Sequence, residues 1–238
     1  MILEIDVGNT FLKWRLREHS GAVVASQRVA AKALSATLFN NLQGVELVLV
    51  GSVANEAFNA RLADVVADSG LPEPLFAGTR GYQAGVTNSY QQPELMGVDR
   101  WLAMLAAWKI AGDACCVVDC GSAITIDYLN ARGVHQGGFI LPGMHLLRTT
   151  LLNNTARVFV DPSLAEFSPR PGTSTSAAVT QGADFMFEAI CKRVLDSLEP
   201  EMSLFVTGGD GELFHRVAGR GEWIPDLVLD GLELTRES

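Results

Sequence analysis

The chain has 238 residues, 48% of them hydrophobic and 19% charged, a balance that excludes intrinsic disorder and gives enough apolar surface for one or two folded domains. Eighteen basic against 27 acidic residues leave a formal charge of −9 with no Lys/Arg cluster to offset it, which argues against a nucleic-acid partner and for a small-molecule one. Glu4 and Asp6 sit where a secretory leader would need basic and apolar residues, and Lys109, Asp113, Asp119 and Asp127 interrupt the apolar stretch 101–129 before it reaches the roughly 18 residues of a membrane span, so a protein that stays in water is expected.

In chain order, residues 1–6 read as a short apolar strand. After Val7-Gly8-Asn9-Thr10 a second strand follows, in which Leu12, Trp14 and Leu16 alternate with Lys13, Arg15 and Arg17, so the two form a hairpin turning at Gly8-Asn9. Residues 47–50 are a brief buried strand, and 55–69 carry helical spacing through Phe58, Leu62 and Val65 until Gly70-Leu71-Pro72 stops it. Residues 78–97, rich in Gly, Thr, Asn, Ser and Gln, form a polar loop leading into Gly97-Val98-Asp99-Arg100. From there Val98, Trp101, Leu102, Leu105 and Trp108 recur at helical spacing up to Gly112, which puts Asp99 and Arg100 in a helix's first turn. Residues 116–119 are the next apolar strand, running through Cys120-Gly121-Ser122-Ala123 into an alternating segment of Ile124, Ile126 and Tyr128. Gly137-Gly138 and Gly143 allow close backbone approach, a helix begins near His145, and a longer one covers about 174–198. Residues 204–206 form a strand ending in Thr207-Gly208-Gly209-Asp210, before a short helix over 213–217.

One device occurs twice: an apolar strand ending in Asp, one residue, Gly, a small polar residue, then an amphipathic strand. Asp119 follows Asp6 by 113 positions, and a duplicated domain is the economical explanation. Mixed strands and helices give the α/β class. The halves are expected at 1–112 and 113–238, with the last helix free to pack back on the first half.

The candidate chemistry lies at the strand ends. In Asp6-x-Gly8-Asn9-Thr10 and Asp119-x-Gly121-Ser122-Ala123, exposed turn amides and the hydroxyls of Thr10 and Ser122 can donate to phosphate oxygens. The carboxylates would repel phosphate unless a cation lies between, so the pair implies Mg²⁺, and Lys13 adds a positive charge. Either turn alone is equally an ordinary hairpin; two matched copies favour phosphate. There is no Walker sequence and no strand followed by Gly-x-Gly-x-x-Gly. The turn 207–210 could admit a flat base or ribose, or be only a tight β–α connection. Asp99 is the best general-base candidate and Arg100 could clamp a carboxylate, although both also fit an ordinary helix start. Cys115, Cys116, Cys120 and Cys191 lack metal-ligand spacing and read as buried, reduced small hydrophobes; Trp14, Trp101 and Trp108 read as core. His19, His135, His145 and His215 are scattered and receive no role.

Asp6-Val7-Gly8-Asn9-Thr10 with Lys13, Gly97-Val98-Asp99-Arg100, Asp119-Cys120-Gly121-Ser122-Ala123-Ile124-Thr125, Gly137-Gly138 with Pro142-Gly143-Met144, and Thr207-Gly208-Gly209-Asp210 together resemble the type III pantothenate kinases, in order and over nearly the whole chain. That family belongs to the acetate and sugar kinase, Hsc70 and actin superfamily. The resemblance implies a duplicated ribonuclease H-like, actin-like fold of two related α/β domains with mixed sheets. It implies ATP-dependent phosphorylation of pantothenate's primary hydroxyl to 4'-phosphopantothenate, the first step of coenzyme A synthesis, in a cytoplasmic homodimer with its active site near the interface. By position it implies ATP binding by Asp6, Val7, Gly8, Asn9, Thr10, Phe11, Leu12, Lys13, Ser122, Gly208 and Gly209, with Asp6 reaching Mg²⁺ through water or phosphate. It implies pantothenate binding by Tyr90, Gly97, Val98, Asp99, Arg100 and Thr175, with Thr173 and Ser174 leaving that last register open, and makes Asp99 the proton acceptor. A monovalent cation, K⁺ or NH₄⁺, is implied beside Asp119. Ser122 stands where the family usually has Thr, which keeps the hydroxyl. Kinases of other small alcohols share the fold, as do Bvg accessory factor proteins linked to transcriptional control; the retained motifs, Asp99 included, tilt against the latter.

Overall fold

The structure, a computed structural model, describes residues 1–153 and 166–236. It forms two compact units, one of residues 1–112, 129–137 and 226–238 and one of 113–128 and 138–225. These units differ from halves at 1–112 and 113–238 in two later segments that return to the first unit, 129–137 and the segment of the last helix, 226–238. The second of these returns has a physical cause in the charges of β2, described next.

In the first unit, β1 (Ile2–Val7), β2 (Phe11–Arg17), β3 (Val23–Ala30), β4 (Leu47–Ser52) and β5 (Pro74–Phe76) form a sheet ordered β3-β2-β1-β4-β5. β1 pairs antiparallel with β2 and parallel with β4, so the sheet is mixed. Leu3, Ile5, Val7, Leu12, Trp14 and Leu16 cover one face and pack with Leu62, Val65 and Val66 of α1 (Glu56–Asp68). The Asn55 side chain caps that helix, accepting from the Phe58 N–H at 2.9 Å. A short ribbon, β6 (Tyr82–Gln83) with β7 (Val86–Thr87), precedes α2 (Val98–Ala111), whose residues Val98 and 100–107 are all buried.

Alternation in β2 marks Lys13, Arg15 and Arg17 as the polar face, but that face is not wet. Glu4 of β1 is fully buried on it, accepting from Arg15 Nε at 2.5 Å and from Arg17 Nη2 at 3.0 Å. The arginines reach onward, Arg15 Nη1 to Asp230 at 2.6 Å and Arg17 Nη2 to Glu233 at 3.1 Å, while Lys13 pairs with Asp226. Bases at every second strand position, about 6.6 Å apart, thus meet acids spaced by four and three residues, about 6 and 4.5 Å, along a helix. Burial alone would pull both guanidiniums down; the bonds and attraction of Glu4, joined by Asp230 for Arg15 and Glu233 for Arg17, hold them above their ordinary value.

The second unit repeats the plan. β8 (Cys115–Cys120), β9 (Ala123–Leu129), β10 (His135–Pro142), β11 (Ser203–Thr207) and β12 (Glu222–Trp223) are ordered β10-β9-β8-β11-β12, the order of the first sheet, and β8 and β11 run parallel. β1 and β8 even share one burial succession, four buried residues, a half-buried Asp and a buried residue. α3 (Met144–Asn153), α4 (Thr175–Ser197) and α5 (Gly211–Ala218) follow, and Cys116, Val118, Ile124 and Ile126 pack with Phe187, Cys191 and Phe214. All four cysteines are buried and free of disulfides. Burial pushes the thiols of Cys115 and Cys191 up to about 12, and raises Cys116 and Cys120 as well, so none is a nucleophile near neutral pH. No helix among the described residues is long and apolar enough to cross a membrane.

α6 (Leu227–Leu234) closes the first unit with its apolar side on α2. Gly231 makes the seat possible, since a Cβ there would collide with the Leu102 carbonyl, and a Cβ at Gly51 would lie 2.7 Å from Leu102 Cδ1. Removing the charge of Glu4 should strand two guanidiniums at the base of this assembly. Glu4→Gln is expected to lower the unfolding free energy by about 3 kcal/mol, measured by urea denaturation; a loss below about 1 kcal/mol would refute a structural role for the buried carboxylate.

Candidate active site

Asp6 lies across from Lys13 in the β1–β2 register and level with Gly51 of β4. The Lys13 ammonium, expected beside a phosphate, is paired with Asp226, the residue preceding α6. The turn spans three residues and is closed by the Gly8 N–H donating to the Phe11 carbonyl at 2.9 Å. Neither Gly8 nor Asn9 has a positive φ, so the turn is not of the two-residue kind that Gly-Asn suggests. Asn9 and Thr10 stand exposed at its tip. Val7 and Leu12 are core residues, which limits any contact of theirs with a nucleotide to the backbone. Phe11 is exposed and lies under the Arg28 guanidinium, 3.8 Å from its ring centroid.

The turn after β8 is one residue shorter, the Gly121 N–H donating to the Ala123 carbonyl at 2.9 Å, with Ser122 exposed. The Gly8 and Gly121 amides, read as phosphate donors, are thus engaged within their own turns. Gly143 lies flat on this turn: its N–H donates to the Ser122 carbonyl at 3.2 Å, and a Cβ would come 2.6 Å from that oxygen. Thr207 is level with Asp119, and Gly208 follows at φ +88° with its Cα against the Asp119 carboxylate and the Cys120 carbonyl. The Asp210 N–H donates to the same Cys120 carbonyl at 2.9 Å. Three motifs far apart in sequence therefore meet at the carboxyl ends of two parallel strands, where ligands bind in α/β sheets. A cavity of about 300 Å³ adjoins them, lined by Met144, His145, Arg148, Phe167, Asp210, Leu213 and Arg216.

At the start of α2, Gly97 serves as N-cap without a side chain. Asp99 folds back into the space so left: its Oδ1 accepts from the Arg100 N–H at 2.8 Å and would lie 2.6 Å from a Cβ at Gly97. Arg100 is 5% exposed and donates from Nη1 to the Tyr90 hydroxyl at 2.9 Å, which brings Tyr90 beside the start of α2. Sequence reasoning missed His135, whose ring lies beside Tyr90; its partner Ser89 is 46 residues away, and no spacing rule connects them. Thr175 is the exposed first residue of α4, in the second unit. Its neighbour Ser174 is the N-cap, accepting from the Ala177 N–H at 3.2 Å, which leaves Thr173 and Thr175 as the hydroxyls outside the cap.

Among the described residues no three His, Cys, Asp or Glu side chains cluster as a metal site.

A family model for type III pantothenate kinase matches residues 2–197. A type III pantothenate kinase of Pseudomonas savastanoi pv. phaseolicola is 36% identical over 98% of this chain and 98% of its own, and one of Marinobacter nauticus 35% identical over 98% and 97%. Among solved structures, a conserved Baf-family protein of Campylobacter jejuni aligns at TM-score 0.65 with 22% identity, covering 98% of this chain and 96% of its own. The activator of 2-hydroxyisocaproyl-CoA dehydratase from Clostridium difficile, with ADPNP bound, aligns at 0.53 with 11% identity, covering 99% and 93%. These two likenesses establish the duplicated actin-like α/β fold and nothing further.

Gly208 and Gly219 both hold a positive φ, but only Gly208 is crowded; nothing lies within 4 Å of a Cβ at Gly219. Gly208→Ala should therefore cost about 1–3 kcal/mol more than Gly219→Ala in urea unfolding, the excess being the collision with Asp119. Equal costs would show that the turn does not need this close approach.

Proposed function

The chain belongs to the type III pantothenate kinases, and on that premise we propose that Asp99 is the general base and that the turns after β1 and β8 bind the ATP phosphates. Its activity is the ATP-dependent phosphorylation of pantothenate in coenzyme A biosynthesis. The observation that carries the acceptor assignment is the constellation at the start of α2. A buried guanidinium held by a phenol offers a fixed donor for the pantothenate carboxylate, and Asp99 stands one residue away to receive a proton. In the step proposed, the substrate's primary hydroxyl oxygen attacks the γ-phosphorus, its proton passes to Asp99, and the bond to the β-phosphate oxygen breaks to release ADP.

On the nucleotide side, the hydroxyls of Thr10 and Ser122, the ammonium of Lys13 and the backbone of residues 6–13 other than the engaged Gly8 amide are the phosphate contacts. Asp6 would hold Mg²⁺ that arrives with the nucleotide, and Asp119 a monovalent ion, K⁺ or NH₄⁺; both ions would supply neutralisation of phosphate charge. The cavity beside Asp210 suits the base and ribose, with Met144, Phe167 and Leu213 as apolar walls and Gly208 and Gly209 at the backbone approach. Thr175 is a further pantothenate contact.

A homodimer is supported by apolar side chains left exposed on the second unit: Phe139 and Ile140 of the edge strand β10, Leu146 of α3, and Phe185 and Met186 of α4. A cytoplasmic setting agrees with four unoxidised thiols, and a net charge of −9 with the absence of a nucleic-acid partner.

The experiment is a coupled ADP-release assay with ATP, Mg²⁺ and pantothenate, in K⁺ and then in Na⁺. Release should require pantothenate and fall when Na⁺ replaces K⁺. Asp99→Asn should lose roughly 10²-fold or more in kcat while remaining folded, and near-normal turnover would remove Asp99 from the role of base.

A further inference from the structure

We infer that His135, with Ser89 behind it, is a positioning residue of the acceptor site, setting the plane of Tyr90 and through it the guanidinium of Arg100. The inference rests on the reading of Tyr90 and Arg100 as pantothenate contacts and extends it to a buried histidine and its hydrogen-bond partner. His135 is the first residue of β10 and is 1% exposed. Its ring lies 6.2 Å from that of Tyr90, centroid to centroid, with 31° between planes. The Ser89 hydroxyl lies 2.9 Å from Nδ1, which fixes the rotation of the imidazole.

Tyr90 thus has two neighbours, the tilted imidazole of His135 and Arg100, whose Cζ is 5.7 Å from the phenol centroid and whose Nη1 donates to the hydroxyl. The backbone below is fixed separately. The Tyr90 N–H donates to Asn88 Oδ1 at 2.9 Å, and the Thr87 N–H donates to the Gly133 carbonyl at 2.9 Å, which ties the loop to the segment entering β10. With its backbone anchored and its ring beside an imidazole and a guanidinium, a phenol 36% exposed has fewer orientations available. A recognition group already oriented loses less entropy when the ligand binds, so the device acts on acceptor affinity and leaves the nucleotide side untouched.

The test measures KM for both substrates, kcat and the thermal midpoint in the full-length enzyme. His135→Ala should raise the pantothenate KM roughly three- to tenfold, with ATP KM and kcat within about twofold of the parent. His135→Phe, which restores a ring against Tyr90, should recover most of that loss. Ser89→Ala, at an exposed position, should raise the pantothenate KM roughly threefold and decides the matter should His135→Ala fail to fold. An unchanged pantothenate KM in a folded His135→Ala or in Ser89→Ala overturns the inference, as does a fall in kcat and a rise in ATP KM that track the thermal midpoint. Tyr90→Ala separates the two readings. If it raises the pantothenate KM while the His135 and Ser89 variants do not, only the positioning role fails; if it leaves the KM unchanged, the acceptor assignment fails and the positioning role with it.

Discussion

The first unit is organised around a carboxylate that water never reaches. Glu4 sits in the central strand with no exposed surface, and a buried anion would cost several kcal/mol were it not bonded on two sides by Arg15 and Arg17. Those arginines are themselves almost buried, so each needs a second anion, and the helix at 227–234 with its flanks supplies them in Asp230 and Glu233. The outer pairs are half in solvent and contribute little alone. Their consequence is geometric: α6 can take only the register that matches the bases, and the glycine at 231 lets it close onto α2. Lys13 is the last member of the same row, so the lysine nearest the turn after β1 is aligned by the device that holds the unit together.

Duplication supplies the frame, and divergence appears at its tips. Both sheets share one strand order, and the two central strands share one burial succession ending in a half-buried Asp. The turns differ, three residues in the first and two in the second. So does the charge. β2 carries three bases, whereas β9, from Ala123 to Leu129, has Asp127 and no base at all.

Local periodicity made the central strands, α1, α2 and α4 legible, and two spaced Asp-x-Gly motifs made the duplication legible. The edge strands were not: Val23–Ala30 is largely exposed and lacks an apolar rhythm, and the run from His135 to Pro142 hides its strand behind two glycines. Alternation in β2 shows that its two faces differ in polarity but not that both are covered, because the acids that cover the polar one lie more than 200 residues away. At the site, the carboxylate at the start of α2 could be read from its position, and the roles came from the family resemblance. The engaged amides of Gly8 and Gly121, the core placement of Val7 and Leu12, and the contact of His135 with Tyr90 depend on tertiary geometry that one sequence does not encode locally.

The returning helix also bears on how the protein is made. The ribosome delivers Glu4, Arg15 and Arg17 first, and delivers Asp226, Asp230 and Glu233 only after every residue of the second unit has been synthesised. The unit that begins first is thus completed last. Until then its central strand carries buried charge with an incomplete set of partners, while the second unit, whose segments lie wholly between residues 113 and 225, has its whole sequence available earlier.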